Sequence, residues 1–379
     1  MIYPLNNSRY GQVRPLFRRL QRTQPMCTAV LEGVYPGKVF VDDAEQPKTA
    51  LLTTFLSSEA EGVWGFLAGD PAKDAFNRAL NAAIFNRQVI GADTPVVFLT
   101  CDPQDWGGRI GEVVAPRSPI RMPRQHYVCR QIQYDGRAAL PEGMTVHRLT
   151  EDLLLRPGLD VPKDVCATMT KWRAAAGEHF RDYGFVTLDE TGEKPVIACW
   201  ATVDFVAGGA GDIGFFTQPA YRRRGLGTIT AAAALEYGLA HGVSWVSWTC
   251  SADNPGSIHA AEKLGLERGE DYSIYLLVFD EAQHWSTAAY YALGRQAYAE
   301  AARAYDQAFV LSQEHPHYIC YEAARAWAML GDSRKALSYL SLAAARGWSD
   351  VADARERQEF ENLRRLPEWN AVVAEMGKA

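Results

Sequence analysis

The chain has 379 residues, 47% of them apolar and 22% charged, and a formal net charge of −6. That length holds two or three domains with sizeable cores, and the acidic balance argues against general nucleic-acid binding, which needs a basic face. No apolar run reaches membrane length and no N-terminal signal pattern is present. Seven scattered cysteines without CxxC spacing read as reduced thiols of a cytoplasmic protein. Eight histidines show no HxxxH pairing, so no metal site is expected.

The first region, residues 1–135, reads as mixed α/β. Strands are predicted at Lys38–Val41, Ala50–Leu56, Val63–Ala68 and Val96–Thr100, with a helix at Asp74–Phe85. The proline-rich stretch Pro116 to Pro123 predicts a turn or crossover, followed by a short strand at His126–Cys129.

The second region, residues 143–280, predicts strand Thr145–Leu149, one or two helices across Lys163–Asp182, and strands Phe185–Asp189 and Pro195–Phe205. A turn at Gly208–Gly211 leads into strand Asp212–Thr217, then the run Tyr221-Arg222-Arg223-Arg224-Gly225-Leu226-Gly227-Thr228, then a helix over Thr228–His241 closed by Gly242. Strand Val243–Cys250 follows, then a short helix with Asn254 as N-cap and Pro255 at its first position, and a final strand Tyr272–Phe279.

Residues 284–379 are purely helical in period. Tyr298, Ala301, Tyr305 and Ala308 recur about 35 positions later as Ser333, Ala336, Leu340 and Ala343, a spacing like that of tetratricopeptide hairpins. A plain helical bundle fits the same pattern. The two α/β regions read as a degenerate duplication, since Val97–Pro103 lines up with Ser247–Asp253. Where the second region has its basic glycine turn, the first has Gly69-Asp70-Pro71-Ala72-Lys73, in which an aspartate and a proline remove charge and a backbone donor. The first copy is therefore expected to be structural or to wall the pocket of the second.

The basic turn carries the chemistry. Two glycines let the backbone approach a bulky anion, and the helix that follows aims unpaired N–H groups and the positive end of its dipole at the same point. A dinucleotide fingerprint would follow the first strand of its unit and a P-loop would carry GK[ST]; neither is found here. Arg222-Arg223-Arg224-Gly225-Leu226-Gly227 resembles the [QR]-x-x-G-x-[GA] acyl-CoA loop of the GCN5-related N-acetyltransferases (GNAT). Asn254, Ser257 and the run Ala261–Leu266 are also similar to that family. The overall layout is most similar to the subgroup containing the zwittermicin-resistance acetyltransferase.

The resemblance implies a tandem GNAT fold of the α/β (α+β) class, with a degenerate first domain, a catalytic second domain and a tetratricopeptide-like tail. It implies acetyl-CoA as donor and a small-molecule primary amine as acceptor. Backbone groups of Phe215, Phe216 and Thr217 would meet the pantetheine arm, and Arg222 to Thr228 the pyrophosphate, with Asn254 and Ser257 beside them. Gly214 suits either a family-type strand bulge or a packing glycine. Asp212 is the expected general base, unless it is merely a strand-end aspartate, and Asn254 is both a helix cap and a cofactor contact. The family's usual tyrosine acid is replaced by Ala261, leaving Tyr272, Ser257, Cys250 and His259 as substitutes. Trp172, His179 and Phe180 line either the acceptor pocket or the core, whereas Trp245 and Trp248 read as core. The acidic residues Glu178, Asp204, Asp212 and Asp253 would suit a cationic amine. The tail would be a lid, a self-association contact or a groove for a partner peptide. Neither nucleic acid nor membrane is expected as a partner. Two other readings remain: a non-catalytic acyl-CoA-binding scaffold, and a protein or peptide N-acetyltransferase.

Overall fold

Two stretches of the chain build the same succession of elements, and their last strands change places. The computed structural model describes residues 1–55, 61–134, 140–175 and 181–377. The chain divides into a unit at Met1–Leu276 and a unit at Leu277–Ala379.

The front half of the first unit runs β1 (Tyr3–Leu5), α1 (Pro25–Leu31), β2 (Lys38–Val41), β3 (Thr49–Thr54), β4 (Val63–Gly69), α2 (Asp74–Phe85), β5 (Val96–Asp102), α3 (Ile110–Val114) and β6 (Ile120–Cys129). The rear half runs β7 (Met144–Arg148), α4 (Glu151–Leu154), α5 (Lys163–Ala175), β8 (Tyr183–Asp189), β9 (Val196–Ala207), β10 (Ala210–Thr217), α6 (Leu226–Ala240), β11 (Trp245–Ser251), α7 (Pro255–Lys263), β12 (Glu267–Arg268) and β13 (Tyr272–Val278). Each half is thus a strand, helical turns, three antiparallel strands, a crossover helix, a parallel strand, a short helix and a closing strand. This internal repetition makes the fold a tandem.

One 13-stranded sheet joins the halves in the order β1-β2-β3-β4-β5-β13-β6-β11-β10-β9-β8-β7, with β12 also on β6. The closing strand of the rear half therefore lies beside β5 of the front half, and that of the front half beside β11 of the rear. The exchanged strands meet antiparallel at the centre, from Tyr272↔Arg124 to Leu276↔Ile120. The proline-rich stretch is accordingly not only a turn: β6 begins at Ile120 and includes Pro123. Pro123 is tolerated where β6 passes from β13 to β11, and its carbonyl accepts from Ala252 N at 3.1 Å.

Strand β9, a nearly unbroken apolar run, is buried along almost its whole length, as befits a central strand covered on both faces. Alanine-rich α6 packs its small side chains against Val203, Ile213, Val246 and Trp248. On the opposite face α1 lies against β9 and β10. The predicted helix across Lys163–Asp182 is observed as α5 to Ala175; residues 176–180, and with them Glu178, His179 and Phe180, lie outside the described residues.

The second unit is helical: α8 (Glu281–Gly294), α9 (Tyr298–Leu311), α10 (His317–Met329), α11 (Ser333–Ala345), α12 (Val351–Glu356) and α13 (Pro367–Met376). Helices α8 with α9 and α10 with α11 form hairpins whose facing alanines allow close approach. The repeated positions Ala301, Tyr305, Ala308, Ala336, Leu340 and Ala343 are all fully buried. No helix among the described residues is long and apolar enough to cross a membrane.

Candidate active site

Parallel strands β10 and β11 stay paired only from Ala210↔Trp245 to Ile213↔Trp248. Beyond that point β10 keeps β9 while β11 turns to β6, so the two strands part at Gly214. Among the described residues no strand pairs with Gly214, Phe215, Phe216 and Thr217 on the β11 side, where Thr217 O is met instead by the Arg222 side chain. A cleft of about 890 Å³ opens there, lined by these four residues, by Arg222, Arg223 and Gly225 to Thr228, and by Arg124, Thr249, Cys250, Asn254, Ser257 and His259.

The strand irregularity expected at Gly214 is found elsewhere. Ala210 faces Ala207 and Asp212 faces Asp204, which leaves Phe205 and Val206 opposite Gly211 alone. Phe205 takes up the extra residue at φ +57°, a left-handed conformation that costs a non-glycine residue about 1–2 kcal/mol. Gly214 is not a packing glycine either, since a Cβ there would meet nothing closer than Thr202 Oγ1 at 4.0 Å.

At the mouth of the cleft Gly225 caps α6 at φ +79° with open space around it. The first helical hydrogen bond runs from Ile229 N to Gly225 O, so the N–H groups of Leu226, Gly227 and Thr228 have no acceptor within the helix. Gly227 serves a different need: its Cβ would stand 3.0 Å from Phe215 Cε2, so glycine lets α6 seat on β10. Arg222 Nε donates to Thr217 O at 3.1 Å, with its guanidinium 5.5 Å above the Phe216 ring. Arg224 instead lies over the cleft residue Tyr221 without lining the cleft itself, and Arg223 is exposed.

On the far wall Asn254 Oδ1 accepts from Ser257 N at 3.1 Å, and Ser257 Oγ accepts from Trp248 Nε1 at 3.2 Å. Both residues therefore build the wall they line. Ala261 is fully buried in the core under α7 and faces no cleft. Burial raises the Cys250 thiol, which keeps it protonated near neutral pH. Asp253 is exposed and bonded to Ser251, so it does not join Asp212.

Asp212 sits one residue below the cleft on the face covered by α1. Burial pushes its carboxyl up to about 7, with Asp204 adding to the rise and the Ser247 hydroxyl, Arg124 and Lys171 opposing it. Asp204 accepts from Lys171 Nζ at 2.5 Å, Trp172 Nε1 at 3.0 Å and Thr202 Oγ1 at 2.9 Å. Trp172, packed in the core, thus also steers an acidic group. A third carboxyl, Asp182, is likewise raised to about 7 by burial and by Asp204, and binds Tyr35 of the front half and Val206 N. Tyr272 donates to Thr249 Oγ1 at 3.3 Å, and burial raises its phenol, with Asp212 close enough to add to the effect.

Gln24, Tyr35, Arg124, Lys171, Thr249 and Asp182 were not foreseen from the sequence. None carries a local motif; four of them reach the site only through the exchanged strands or the packing of α1 and α5. In the front half the corresponding parallel pair stays closed for six positions, Val63↔Val97 to Ala68↔Asp102. Leu99 fills the space over Gly65, and Trp106 Nε1 ties down Gly69 O at 3.2 Å. Strands β4 and β5 thus stay paired over the stretch where β10 and β11 part.

The sequence profile of the GNAT acetyltransferase family matches residues 14–275, spanning both halves. No curated protein matches the chain. Among solved structures, a GCN5-related N-acetyltransferase from Sphaerobacter thermophilus is 13% identical with a TM-score of 0.50, covering 73% of this chain and 95% of its own. A GCN5-related N-acetyltransferase-like protein from Streptococcus suis 89/1591 is 21% identical with a TM-score of 0.46, covering 69% and 98%. A tandem GNAT protein from the clavulanic acid biosynthesis pathway is 17% identical with a TM-score of 0.48, covering 73% and 98%.

Proposed function

This chain belongs to the GNAT acetyltransferase family, and on that premise we propose that it moves an acetyl group from acetyl-CoA to a primary amine of a small molecule by direct attack. The observation that carries the reading is the parting of β10 from β11 at Gly214, with the open N-terminus of α6 at its mouth. The pyrophosphate would rest on the N–H groups of Leu226 to Thr228, helped by Arg222 and Arg223, and the pantetheine arm on the free edge of Phe215 to Thr217. This leaves the thioester near Gly214, beside Asp212.

Asp212 suits the base role because its carboxyl titrates near neutrality, where it can take a proton from an ammonium group directly or through water. The freed amine attacks the thioester carbonyl carbon, the C–S bond breaks, and the leaving thiolate needs a proton. Tyr272, held protonated by burial and donating to the cleft residue Thr249, is the group we assign to this task. Seven free cysteines fit a reducing compartment such as the cytoplasm. The start of α11 follows that of α9 by the 298-to-333 spacing, which supports a tetratricopeptide-like tail suited to a protein partner or self-association.

Thiol release from acetyl-CoA on addition of amines, aminoglycosides or peptides tests the reading. Turnover on small amines is the expected result. Tight acetyl-CoA binding without turnover on any of them would favour a binding scaffold, and turnover confined to peptides a protein N-acetyltransferase.

A further inference from the structure

Around Tyr272 the site is divided into an acidic side and a donor side. Asp212 and its cross-strand partner Asp204 form the acidic side. Near them stand two side chains, each with a buried donor atom that makes no hydrogen bond among the described residues. Gln24, only 8% exposed at the N-terminus of α1, turns its carboxamide N–H toward the Tyr272 hydroxyl, but Nε2 stays short of hydrogen-bonding geometry with that oxygen and with every other acceptor among the described residues. Arg124, the cross-strand partner of Tyr272, gives Nη2 to Thr249 O at 3.3 Å while its buried Nε finds no acceptor. A buried donor left unpaired costs about 1–3 kcal/mol, and two such donors on residues flanking Tyr272 call for an acceptor-rich group that arrives with a ligand. A carboxylate meets both donors at once and is favoured by the guanidinium charge.

Resting on the transferase reading, we infer that the acceptor is an amino acid-like zwitterion, its carboxylate held by Arg124 and Gln24 and its ammonium turned to Asp212. The front half then supplies half of the carboxylate grip, through Gln24 of the segment leading into α1 and Arg124 of the exchanged strand β6. An aminoglycoside or a simple diamine would bury more positive charge against Arg124 and leave both donors unpaired.

The test uses matched pairs that differ only in the carboxylate: L-alanine with ethylamine, L-serine with ethanolamine, and L-lysine with cadaverine. Calorimetry on the full-length protein loaded with CoA gives binding, and thiol release from acetyl-CoA gives turnover. At least one amino acid is expected to bind ten-fold or more tightly than its carboxylate-free partner. Gln24→Leu should cut that preference several-fold, and Gln24→Glu should reverse it while the protein stays folded by circular dichroism. Equal binding of every pair, or no binding of any amino acid, overturns the inference. A carboxylate preference in binding without turnover on any amine upholds this site and sinks the transferase reading instead. Turnover that is indifferent to the carboxylate does the opposite.

Discussion

Asp212 and Asp204 stand directly opposite each other on β10 and β9, at the step where β9 carries its extra residue. Like charges facing across a strand pair are unfavourable, and Lys171, 2.5 Å from Asp204, acts on both carboxylates and offsets their repulsion only in part. The repulsion is useful if Asp212 is the base, because it helps to keep the proton affinity of that carboxyl near neutrality.

Asp204→Asn should therefore lower the acid limb of the pH–kcat/KM profile. The groups facing Asp212 are Ser247 on β11, Arg124 on β6, Lys171 on α5, Tyr272 on β13 and Asp204 itself. Of these only Asp204 resists its ionisation, beside burial itself, so removing the Asp204 charge leaves Lys171 and Arg124 with burial alone to oppose them. A limb near pH 7 is expected to move down by on the order of one pH unit. An unmoved limb would mean that Asp204 only anchors Lys171 and Trp172.

Asp212→Asn should cost turnover and add stability. The folded protein holds this proton more tightly than the unfolded chain does, since the carboxyl is raised from 3.8 to about 7. The stability penalty is absent below pH 4, grows as pH rises through that interval and is complete above pH 7. Its ceiling is ~4 kcal/mol. Partial exposure of the side chain brings the gain expected for the variant at pH 8 to about 2 kcal/mol. Urea melts at pH 4.5 and pH 8 check this: the variant's advantage should be several-fold larger at the higher pH. Turnover should fall at least about 100-fold, and an undiminished rate would remove Asp212 as base.

Gly225 separates backbone strain from charge. Its φ of +79° makes any side chain cost about 1 kcal/mol, although a Cβ would meet no neighbour. Gly225→Ala should weaken acetyl-CoA binding only several-fold. Gly225→Asp sets a carboxylate among the free N–H groups of α6 and should weaken it by about 100-fold or more. Equal affinities for the two variants in calorimetry would show that no pyrophosphate sits there.

Local chemistry was readable and long-range partnership was not. Asn254 with Pro255, and Gly242, each announce a helix end, and both ends lie where expected, whereas α6 begins at Leu226, two residues before the predicted Thr228. The bulge was misplaced at Gly214 because glycine is the usual marker, whereas the left-handed residue is Phe205, held there by packing against Tyr35 at 4.5 Å. Pro123 reads locally as a break, and only its position between two different strand partners allows it into β6. The Asp212 carboxyl looks ordinary in sequence. Its raised proton affinity comes from Asp204 across the sheet and from α1 folded over it, neither of which has a sequence signature near residue 212.

The strand exchange makes its own prediction about cooperativity. Alone, residues 1–134 would leave β5 without β13 and β6 without β11; residues 140–276 would leave β11 and β13 without β6. Unpaired inner edges rich in apolar residues drive association. The register is also specific to the exchanged partner: Gly269 lies on the His126 ring, where a Cβ would come within 2.3 Å of Nδ1, and its N–H donates to His126 O at 2.8 Å. His126 is itself fully buried, and burial lowers its pKa to about 4, so it must stay neutral. Each half expressed alone should aggregate, while co-expression should yield a one-to-one complex that melts in one transition. Gly269→Ala, which pushes a methyl into the His126 ring, should weaken that complex and lower the melting temperature of the intact protein by several degrees. A soluble, sharply melting monomer from either half alone would mean that each closing strand can return to its own half, and that the exchange is not what holds the sheet together.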